Sequence, residues 1–272
     1  MIVQDITGAN QYSYSKITAF EQCPWQYYLK YVKKAQDGRD NGFAQAGKVA
    51  HDLIDEYYSK GLEAERLPEL FEQKWQKKFV EPGFRVELNV NGFVKDLTDN
   101  YHNQILNYFN NFVAYDNCQV IATEQRYNAF LQEWTSGTAI LLTGILDCLG
   151  KDSDGNYVIW DSKSKSAWKD AAEIAKYARQ LYVYSTFVKM KYGNFPAKLK
   201  FNQFRLTGNK RVTEIPFDET EYENVMLWLF EMVRSIESEQ MFLPTPDDFY
   251  CNNLCEFRDV CQAREQKAED IY

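Results

Sequence analysis

The spacing of hydrophobic positions divides the chain into segments with a helical period and segments with the alternation typical of strands. The helical period predicts helices over 13–33, as a pair that meets at Cys23, and over 44–60, 67–80, 98–115, 170–192 and 219–240. Strands are predicted over 119–131 and 198–207, with a hairpin between them. This order of elements indicates an α/β (α+β) fold, in which helices flank a mixed central sheet.

The predicted hairpin covers residues 140–165. Two apolar runs flank the polar turn 151–156, whose Asp-Gly-Asn residues favour a tight turn. Each run carries a carboxylate at its end, Asp147 in the first and Asp161 in the second. Residues i and i+2 of an extended chain project from the same face, so Asp161 and Lys163 share one side of their strand. The hairpin therefore places two carboxylates and an ammonium near one another.

Two of the predicted helices carry polar residues that can face a cleft. In the helix over 44–60, His51 lies at the border of the apolar stripe. A ligand role is one interpretation of this histidine, and an ordinary half-buried polar residue is the alternative. In the helix that follows the hairpin, Gln180 and Tyr184 are four residues apart and lie on one side. A pair of interfacial polar residues is again the plain alternative.

Composition limits the class of protein. Hydrophobic residues make up 45% and aromatic residues 16% of the 272 residues, which argues against disorder. We expect a single domain over 1–272, with a helical region over 1–117, a sheet core over 118–211 and a C-terminal helix and cysteine segment over 212–272. No apolar run reaches the length that a bilayer requires, and the N-terminus lacks a signal-peptide pattern. We therefore expect a cytoplasmic protein that does not bind membranes.

The net charge of −8 is unevenly distributed along the chain. Residues 151–211 contain thirteen Lys and Arg against five Asp and Glu, a net charge of +8, whereas residues 212–272 contain four against fifteen, a net charge of −11. The positive segment begins at the hairpin, which indicates a polyanion as a partner. A solvated basic face is the alternative. Lys198, Lys200 and Arg205 on the last predicted strand are expected to face phosphate.

Three of the six cysteines are bunched as C-x3-C-x5-C, at Cys251, Cys255 and Cys261. In a chain without a secretory signal, cysteines at such a spacing are more often metal ligands than disulfide partners. A closed site needs a fourth thiolate, and four thiolates suit either a [4Fe–4S] cluster or structural zinc. Cys118 and Cys148 belong to no motif and are expected to be small buried hydrophobic residues.

The charged residues of the hairpin suit chemistry at phosphorus. A hard cation such as Mg²⁺ binds carboxylate oxygens, water and substrate phosphate. A lysine beside the cation stabilises the negative charge that develops during attack on a phosphodiester. The alternative is a surface hairpin whose charges are solvated.

Taken in order, these motifs resemble those of PD-(D/E)xK nucleases of the RecB-like and Cas4-like iron–sulfur branch, which includes the AddB nuclease domain and phage RecB-like exonucleases. The resemblance rests on Cys23 in C-P-W, Gly47-x3-His51, G-I-L-Asp147, Asp161-x-Lys163, Gln180-x3-Tyr184 and the C-terminal cysteine triplet. Two departures stand out. The gap between Cys251 and Cys255 is x3, where x2 is usual, and Asp161 replaces a frequent glutamate.

The resemblance implies a restriction-endonuclease-like core with a site for Mg²⁺ or Mn²⁺ formed by His51, Asp147, Asp161 and the carbonyl of Ser162. It implies that Lys163 orients or deprotonates a water, while Gln180 and Tyr184 seat the lysine and the DNA strand. Glu124 lies just ahead of the hairpin and is expected to be an ordinary strand charge, with an auxiliary role near the metal as the alternative. The implied ligands of a [4Fe–4S] cluster, or of zinc as the alternative occupant, are Cys23, Cys251, Cys255 and Cys261.

The function that the resemblance implies is that of a Mg²⁺- or Mn²⁺-dependent deoxyribonuclease, an exonuclease that acts on single-stranded DNA or DNA ends. The alternative is a catalytically inactive DNA-binding subunit of a repair or CRISPR-adaptation-type complex. The partners implied are DNA and, beyond it, a second copy of the chain or repair and adaptation proteins. The expected compartment is the cytoplasm, which is that of the host cell for a phage-encoded protein.

Overall fold

The computed structural model of the chain describes residues 10–36, 38, 41–113, 115, 118–133, 136–205 and 212–261. Its helices are α1 (Tyr14–Gln22), α2 (Pro24–Tyr27), α3 (Gly42–Lys60), α4 (Leu67–Trp75), α5 (Thr98–Asn110), α6 (Ala171–Tyr192), α7 (Glu219–Ser238) and α8 (Asp248–Asn253). π-Helical turns continue α2 and α4 over Tyr28–Val32 and Gln76–Val80, and a 3₁₀ turn covers Ala64–Arg66. The strands are β1 (Asn10–Ser13), β2 (Glu87–Val90), β3 (Phe93–Asp96), β4 (Gln119–Gln132), β5 (Ala139–Lys151), β6 (Tyr157–Lys163), β7 (Lys198–Gln203) and β8 (Val212–Pro216).

The strands form a six-stranded mixed sheet and a separate β2–β3 hairpin. The order in the large sheet is β1-β5-β6-β7-β8, and β4 pairs with the whole length of β5. On the side of β5 away from β4, β1 pairs with residues 140–143 and β6 pairs with residues 148–151. Residues 144–147 of β5 lie between these two ladders. The gap leaves room for side chains between β5 and β6 at Asp147.

Helices cover both faces of the sheet and pack into two hydrophobic clusters. On one face, α1, α6 and α7 pack against sheet residues such as Ile159 and Phe201. On the other face, α3, α4 and α5 pack against sheet residues such as Val158 and Trp160. The prediction of a mixed central sheet flanked by helices is therefore confirmed.

The side chains of β5 change faces at Asp147. Leu146 belongs to the first cluster and Cys148 to the second, although residues two apart in a regular strand share a face. The register of the β4–β5 ladder places Glu124 opposite Asp147. Glu124 has a φ of 45°, a left-handed conformation that costs a non-glycine residue roughly 1 kcal/mol or more. The two carboxylates thus lie side by side at a kink in both strands.

Some predicted elements differ from the observed ones. The helix predicted over 98–115 ends at Asn110. The pattern does not predict β1, β8 or the β2–β3 hairpin, because strands of 4 or 5 residues carry too short an alternation. The basic side chains expected to face phosphate, those of Lys198, Lys200 and Arg205, instead contact Asp152, Glu214 and the ring of Tyr101. Within the described residues, no helix combines the length and the apolar character that crossing a bilayer requires.

Candidate active site

Lys163 is held between two acceptors at the end of β6. Its Nζ lies 2.7 Å from Asp161 Oδ2 and donates to Asp161 Oδ1 at 2.9 Å and to Gln180 Oε1 at 3.1 Å. Gln180 Nε2 in turn donates to the hydroxyl of Tyr184 at 3.2 Å. Asp161 and Lys163 share one face of β6, and Gln180 and Tyr184 are one turn apart on α6. The two elements therefore join four predicted site residues into one chain of contacts.

A second group of side chains lies next to this chain of contacts, at the gap between β5 and β6. Nδ1 of His51 lies 3.4 Å from Asp147 Oδ2 and 3.9 Å from Glu124 Oε1. The ligand atoms of these three residues all lie within 4.8 Å of one another, and no other such group of three occurs among the residues that the structure describes. Phe204 holds the His51 ring through an edge-to-face contact, with ring centres 5.5 Å apart. An imidazole nitrogen and carboxylate oxygens at these separations can bind a divalent cation.

The backbone of Ser162 faces Asp147. Its N–H donates to Asp147 Oδ2 at 2.7 Å. The N–H and C=O of one residue in an extended strand point to the same side, so the Ser162 carbonyl also leaves β6 toward β5. The side chain of Ser162 is held separately, because its Oγ lies 3.3 Å from the hydroxyl of Tyr115 and accepts from Asn202 Nδ2 at 3.2 Å. Hydrogen bonds from both the backbone and the side chain of Ser162 therefore fix β6 at this residue.

Burial dominates the electrostatics of the site. It raises the pKa of Asp161 to about 6, because the opposing effect of Lys163 is incomplete and Asp147 adds a like charge. Burial also raises the pKa of Asp147, and His51 and Lys163 offset this only in part. For Lys163, burial favours the neutral amine, but Asp161 and Asp147 raise the pKa overall. For His51, burial lowers the pKa, and Asp147 and Glu124 raise it by more. A divalent cation would stabilise two carboxylates that are costly to ionise by themselves.

The reactive groups lie at different depths. The side chain of Asp161 is 3% exposed and that of Asp147 is 14% exposed. Lys163 and His51 are more open, at 20% and 29%. Asp161 therefore lies at the bottom of the site, and Lys163 and His51 lie nearer to the solvent.

Gly144 allows α6 to approach β5 closely. A Cβ at this position would lie 2.8 Å from Cε1 of Tyr184 and 2.8 Å from Cε2 of Phe187, distances that real Cβ atoms do not show. Only glycine therefore lets the ring of Tyr184 pack against β5, where its hydroxyl accepts the hydrogen bond from Gln180. Through this hydrogen bond, the close packing of α6 sets the position of Lys163.

The four motif cysteines line one cavity where the two ends of the described chain meet. The cavity has a volume of about 240 Å³ and is lined by Cys23 at the end of α1 and by Cys251, Cys255 and Cys261 on and after α8. The backbone N–H of Thr245 donates to Cys23 Sγ at 3.5 Å. Burial raises the pKa of the Cys255 thiol to about 11. Sulfur donors from both ends of the described chain therefore surround one space.

The structure places the predicted residues in two regions. Most of them converge between β5, β6, α3 and α6, namely His51, Asp147, Asp161, Ser162, Lys163, Gln180 and Tyr184. The four cysteines line the separate cavity. Cys148 is buried in the second cluster and Cys118 packs against the same cluster.

The sequence pattern favours an ordinary strand charge for Glu124, whereas the structure places its carboxylate beside His51 and Asp147. The signal that points to this residue is its position one strand ahead of the hairpin, because β4 pairs with β5. Tyr115 and Asn202, which hold Ser162 from behind, carry no signal in the sequence pattern. Their contact with Ser162 follows only from the packing of β6, β7 and the segment after α5.

The chain is similar to a known protein family in sequence and to solved structures in fold. The sequence matches the PD-(D/E)XK nuclease superfamily over residues 11–262. No curated protein matches the sequence. Among solved structures, the chain is similar to SSO0001, at 12% identity over 95% of this chain and 89% of that chain, with a TM-score of 0.44. It is also similar to a protein named "Putative exonuclease" from Eubacterium rectale, at 11% identity over 92% and 88% of the chains, with a TM-score of 0.48. Because the superfamily match covers nearly the whole sequence, we conclude that the chain belongs to the PD-(D/E)XK nuclease superfamily.

Proposed function

We propose that the protein is a metal-dependent deoxyribonuclease that hydrolyses phosphodiester bonds. The observation that carries this proposal is that His51, Glu124 and Asp147 hold their ligand atoms within 4.8 Å of one another, beside the ion pair of Lys163 and Asp161. Membership of a nuclease superfamily makes DNA the expected substrate. A cation-binding group next to a fixed ammonium is the combination that hydrolysis at phosphorus requires.

Mg²⁺ or Mn²⁺ is the metal that we propose, with ligands from His51, Asp147, Asp161 and the carbonyl of Ser162, and with Glu124 as an additional ligand. One nitrogen and several oxygens suit a hard divalent cation better than they suit a thiophilic one. The raised pKa values of Asp147 and Asp161 support this assignment, because a nearby cation lowers the cost of ionising both groups. When bound, the metal lowers the pKa of a coordinated water and neutralises charge on the scissile phosphate.

We assign to Lys163 the orientation of the attacking water and the stabilisation of charge on the phosphate. Asp161 and Gln180 hold its ammonium in one direction, and its raised pKa keeps it protonated near neutral pH. A protonated lysine cannot accept a proton, so orientation is favoured over the role of a general base. Gln180 and Tyr184 position this ammonium, and Gln180 also lines the groove that leads to it.

The substrate that we propose is single-stranded DNA or a DNA end, cleaved exonucleolytically. Asp161 is only 3% exposed, and α1 and α6 flank the approach to it. Two contacts join these helices. The hydroxyl of Tyr14 donates to the carbonyl of Lys176 at 3.4 Å, and Arg179 donates twice to Glu21, at 2.9 and 3.1 Å. A cleft narrowed in this way favours one strand or a frayed end over an intact duplex.

A [4Fe–4S] cluster is the group that we propose for the cysteine cavity, with Cys23, Cys251, Cys255 and Cys261 as ligands. Tetrahedral zinc with Zn–S bonds of about 2.3 Å would bring all four to separations of about 3.8 Å. A cavity of about 240 Å³ lined by four cysteines has room for more than one iron, which supports a multi-iron cluster held by four thiolates. A brown protein with broad visible absorption supports the cluster, whereas a colourless protein with stoichiometric zinc overturns it.

Cleavage of an end-labelled single-stranded oligonucleotide tests the nuclease assignment. We expect cleavage with Mn²⁺ or Mg²⁺ and none with EDTA, and we expect Asp161→Ala and Lys163→Ala to abolish it. Asp154→Asn is the matched control, because Asp154 is an exposed carboxylate in the β5–β6 turn and should be dispensable. Metal-dependent cleavage by folded Asp161→Ala would overturn the assignment. Binding without cleavage by the wild type would favour the inactive DNA-binding subunit.

A further inference from the structure

We infer that the groove between α1 and α6 binds a single DNA strand, with Lys176 on a phosphate next to the scissile one and Tyr177 stacked against a base. The inference rests on the proposed function and adds the residues that hold the substrate. The groove has a volume of about 660 Å³ and reaches from Lys163 to the segment 245–247. It therefore begins at the proposed catalytic lysine and continues away from it.

The two walls of the groove come from the two helices. Tyr14 and Glu21 of α1 line one wall, and Lys176, Tyr177 and Arg179 of α6 line the other. The contact of 3.4 Å between the Tyr14 hydroxyl and the Lys176 carbonyl crosses from one helix to the other. A bound strand can therefore touch both walls at once, which is the geometry of a channel for single-stranded nucleic acid.

Lys176 is the groove cation that is available for a ligand. The ammonium of Lys163 pairs with Asp161, and the guanidinium of Arg179 pairs with Glu21. Lys176 is exposed, and it forms no ion pair with any residue that the structure describes. Phosphate contacts supply most of the affinity of proteins for DNA without regard to sequence, and an unpaired lysine supplies such a contact without first breaking an ion pair.

Tyr177 presents an aromatic ring that is fixed before any ligand binds. Trp168 packs edge-to-face against it, with ring centres 5.3 Å apart, and Trp168 Nε1 donates to Thr213 Oγ1 at 2.9 Å. Nζ of Lys165 lies 5.0 Å from the centre of the Tyr177 ring. A ring that is already immobilised loses little entropy when a base stacks on it, and such stacking accepts any base.

The spacing along α6 relates these residues to the bond that is cut. Lys176 and Gln180 are four residues apart, a rise of about 6 Å along the helix. Gln180 contacts Lys163, which we place at the scissile phosphate. A phosphate on Lys176 is therefore a close neighbour of the scissile phosphate within one strand.

Binding of a fluorescent oligothymidylate, measured by anisotropy at several salt concentrations, tests the inference. The full-length Asp161→Asn protein serves as the background because it should not cleave the probe. We expect Lys176→Gln to reduce the slope of log K against log salt by about 0.7, the value for one phosphate contact with a single strand. We expect Tyr177→Ala to weaken binding by about five-fold or more, and Tyr177→Phe to restore it. Lys189→Gln is the matched control, because Lys189 is an exposed lysine of α6 that does not line the groove.

A slope that Lys176→Gln leaves unchanged would overturn the inference, and so would a Tyr177→Phe protein that binds as weakly as Tyr177→Ala. If the affinity for a duplex of the same length depended on Lys176 and Tyr177 as strongly as the affinity for the single strand does, the preference for a single strand would be rejected. These outcomes are separate from those of the cleavage assay. Cleavage by a protein whose DNA binding does not depend on Lys176 would support the nuclease assignment and contradict the groove as the binding site. Binding that depends on Lys176 and Tyr177 without any cleavage would support the groove as the binding site and contradict the nuclease assignment.

Discussion

The backbone N–H of Ser162 donates a hydrogen bond to Oδ2 of Asp147 at 2.7 Å. If the register of the β5–β6 ladder continued, Ser162 would lie opposite Leu146, so a side-chain carboxylate takes the place of a main-chain acceptor. The bond satisfies a buried N–H at the point where the two strands separate. It also holds the Asp147 carboxylate on the side of β6. The same contact therefore allows the strands to separate and sets the candidate ligand in place.

Asp147→Asn is expected to be more stable than Asp147→Ala. Asparagine keeps an oxygen that can accept from Ser162, whereas alanine leaves a buried N–H without a partner, which costs about 1–3 kcal/mol. Both variants should lose metal-dependent cleavage because neither carries the carboxylate. Urea denaturation in EDTA measures the two free energies of unfolding. Equal values would show that this hydrogen bond does not hold the strand.

Asp161→Asn is expected to stabilise the metal-free protein above about pH 6 and to have little effect near about pH 4. The pKa of Asp161 is about 6 in the folded protein and about 3.9 in an unfolded chain. Between these values the unfolded state has released a proton that the folded state retains, so the stability of the wild type falls as the pH rises. Asparagine does not ionise and avoids this loss.

Thermal unfolding in EDTA across this pH range measures the difference between Asp161→Asn and the wild type. A difference that shrinks as the pH rises would mean that Lys163 holds the pKa of Asp161 below its ordinary value. Saturating Mn²⁺ at neutral pH should reverse the order of stability, because only the wild type has the full set of proposed ligands.

Glu124→Gly is expected to weaken metal binding with little change in the free energy of unfolding. Glu124→Val is expected to weaken metal binding and to lower the free energy of unfolding. Glycine adopts the left-handed backbone at this position without strain but loses more backbone entropy on folding, whereas β-branched valine fits this conformation less well than glutamate does. Neither residue offers a ligand, so the affinity for Mn²⁺ should fall on the order of ten-fold. Calorimetric titration with Mn²⁺ and urea denaturation measure the two effects. An unchanged affinity in Glu124→Gly would remove Glu124 from the metal-binding group.

Gly144→Ala is expected to destabilise the protein by about 1–3 kcal/mol, because the new Cβ would lie 2.8 Å from the rings of Tyr184 and Phe187. To relieve this overlap, α6 must move away from β5. The movement displaces the hydrogen-bonded chain that ends at Lys163, so kcat should fall by up to about a hundred-fold. Urea denaturation and the rate of oligonucleotide cleavage measure the two consequences.

Gly47→Ala is the matched control for this substitution. A Cβ at Gly47 would meet Ser164 Cβ at 3.8 Å, which is an ordinary contact. Gly47 lies inside α3, where alanine is favoured over glycine by roughly 0.5–1 kcal/mol. A Gly144→Ala protein as stable as Gly47→Ala would contradict the close packing of α6 on β5.

The elements of the fold that the sequence predicts are those with local signals. The hairpin of β5 and β6 forms around an Asp-Gly turn. Asp170 accepts a hydrogen bond from the N–H of Glu173 at the start of α6, and Gly193 ends that helix with a φ of 83°. These signals act between residues a few positions apart. β1 carries no comparable signal, because its partner is the distant segment 140–143.

The same distinction applies to the candidate site. Spacings of two and four residues predict that Lys163 shares a face with Asp161 and that Gln180 lies beside Tyr184, because each pair lies within one element. The place of Glu124 depends instead on the register of β4 with β5 and on a kink at Asp147, neither of which has a pattern in the sequence. The net charge of a segment also does not predict which of its basic side chains can bind phosphate, because a sum over residues does not show which of them already form ion pairs.

The two hydrophobic clusters lie on opposite faces of the sheet, and the candidate site draws side chains from both layers. α3 brings His51 from one layer, while Lys163 ties Asp161 to α6 in the other. An ion shared by His51 and Asp161 would therefore act as a cross-link that runs through the gap in the strands. Chelation would then remove this cross-link and leave the sheet itself as the connection between the two layers.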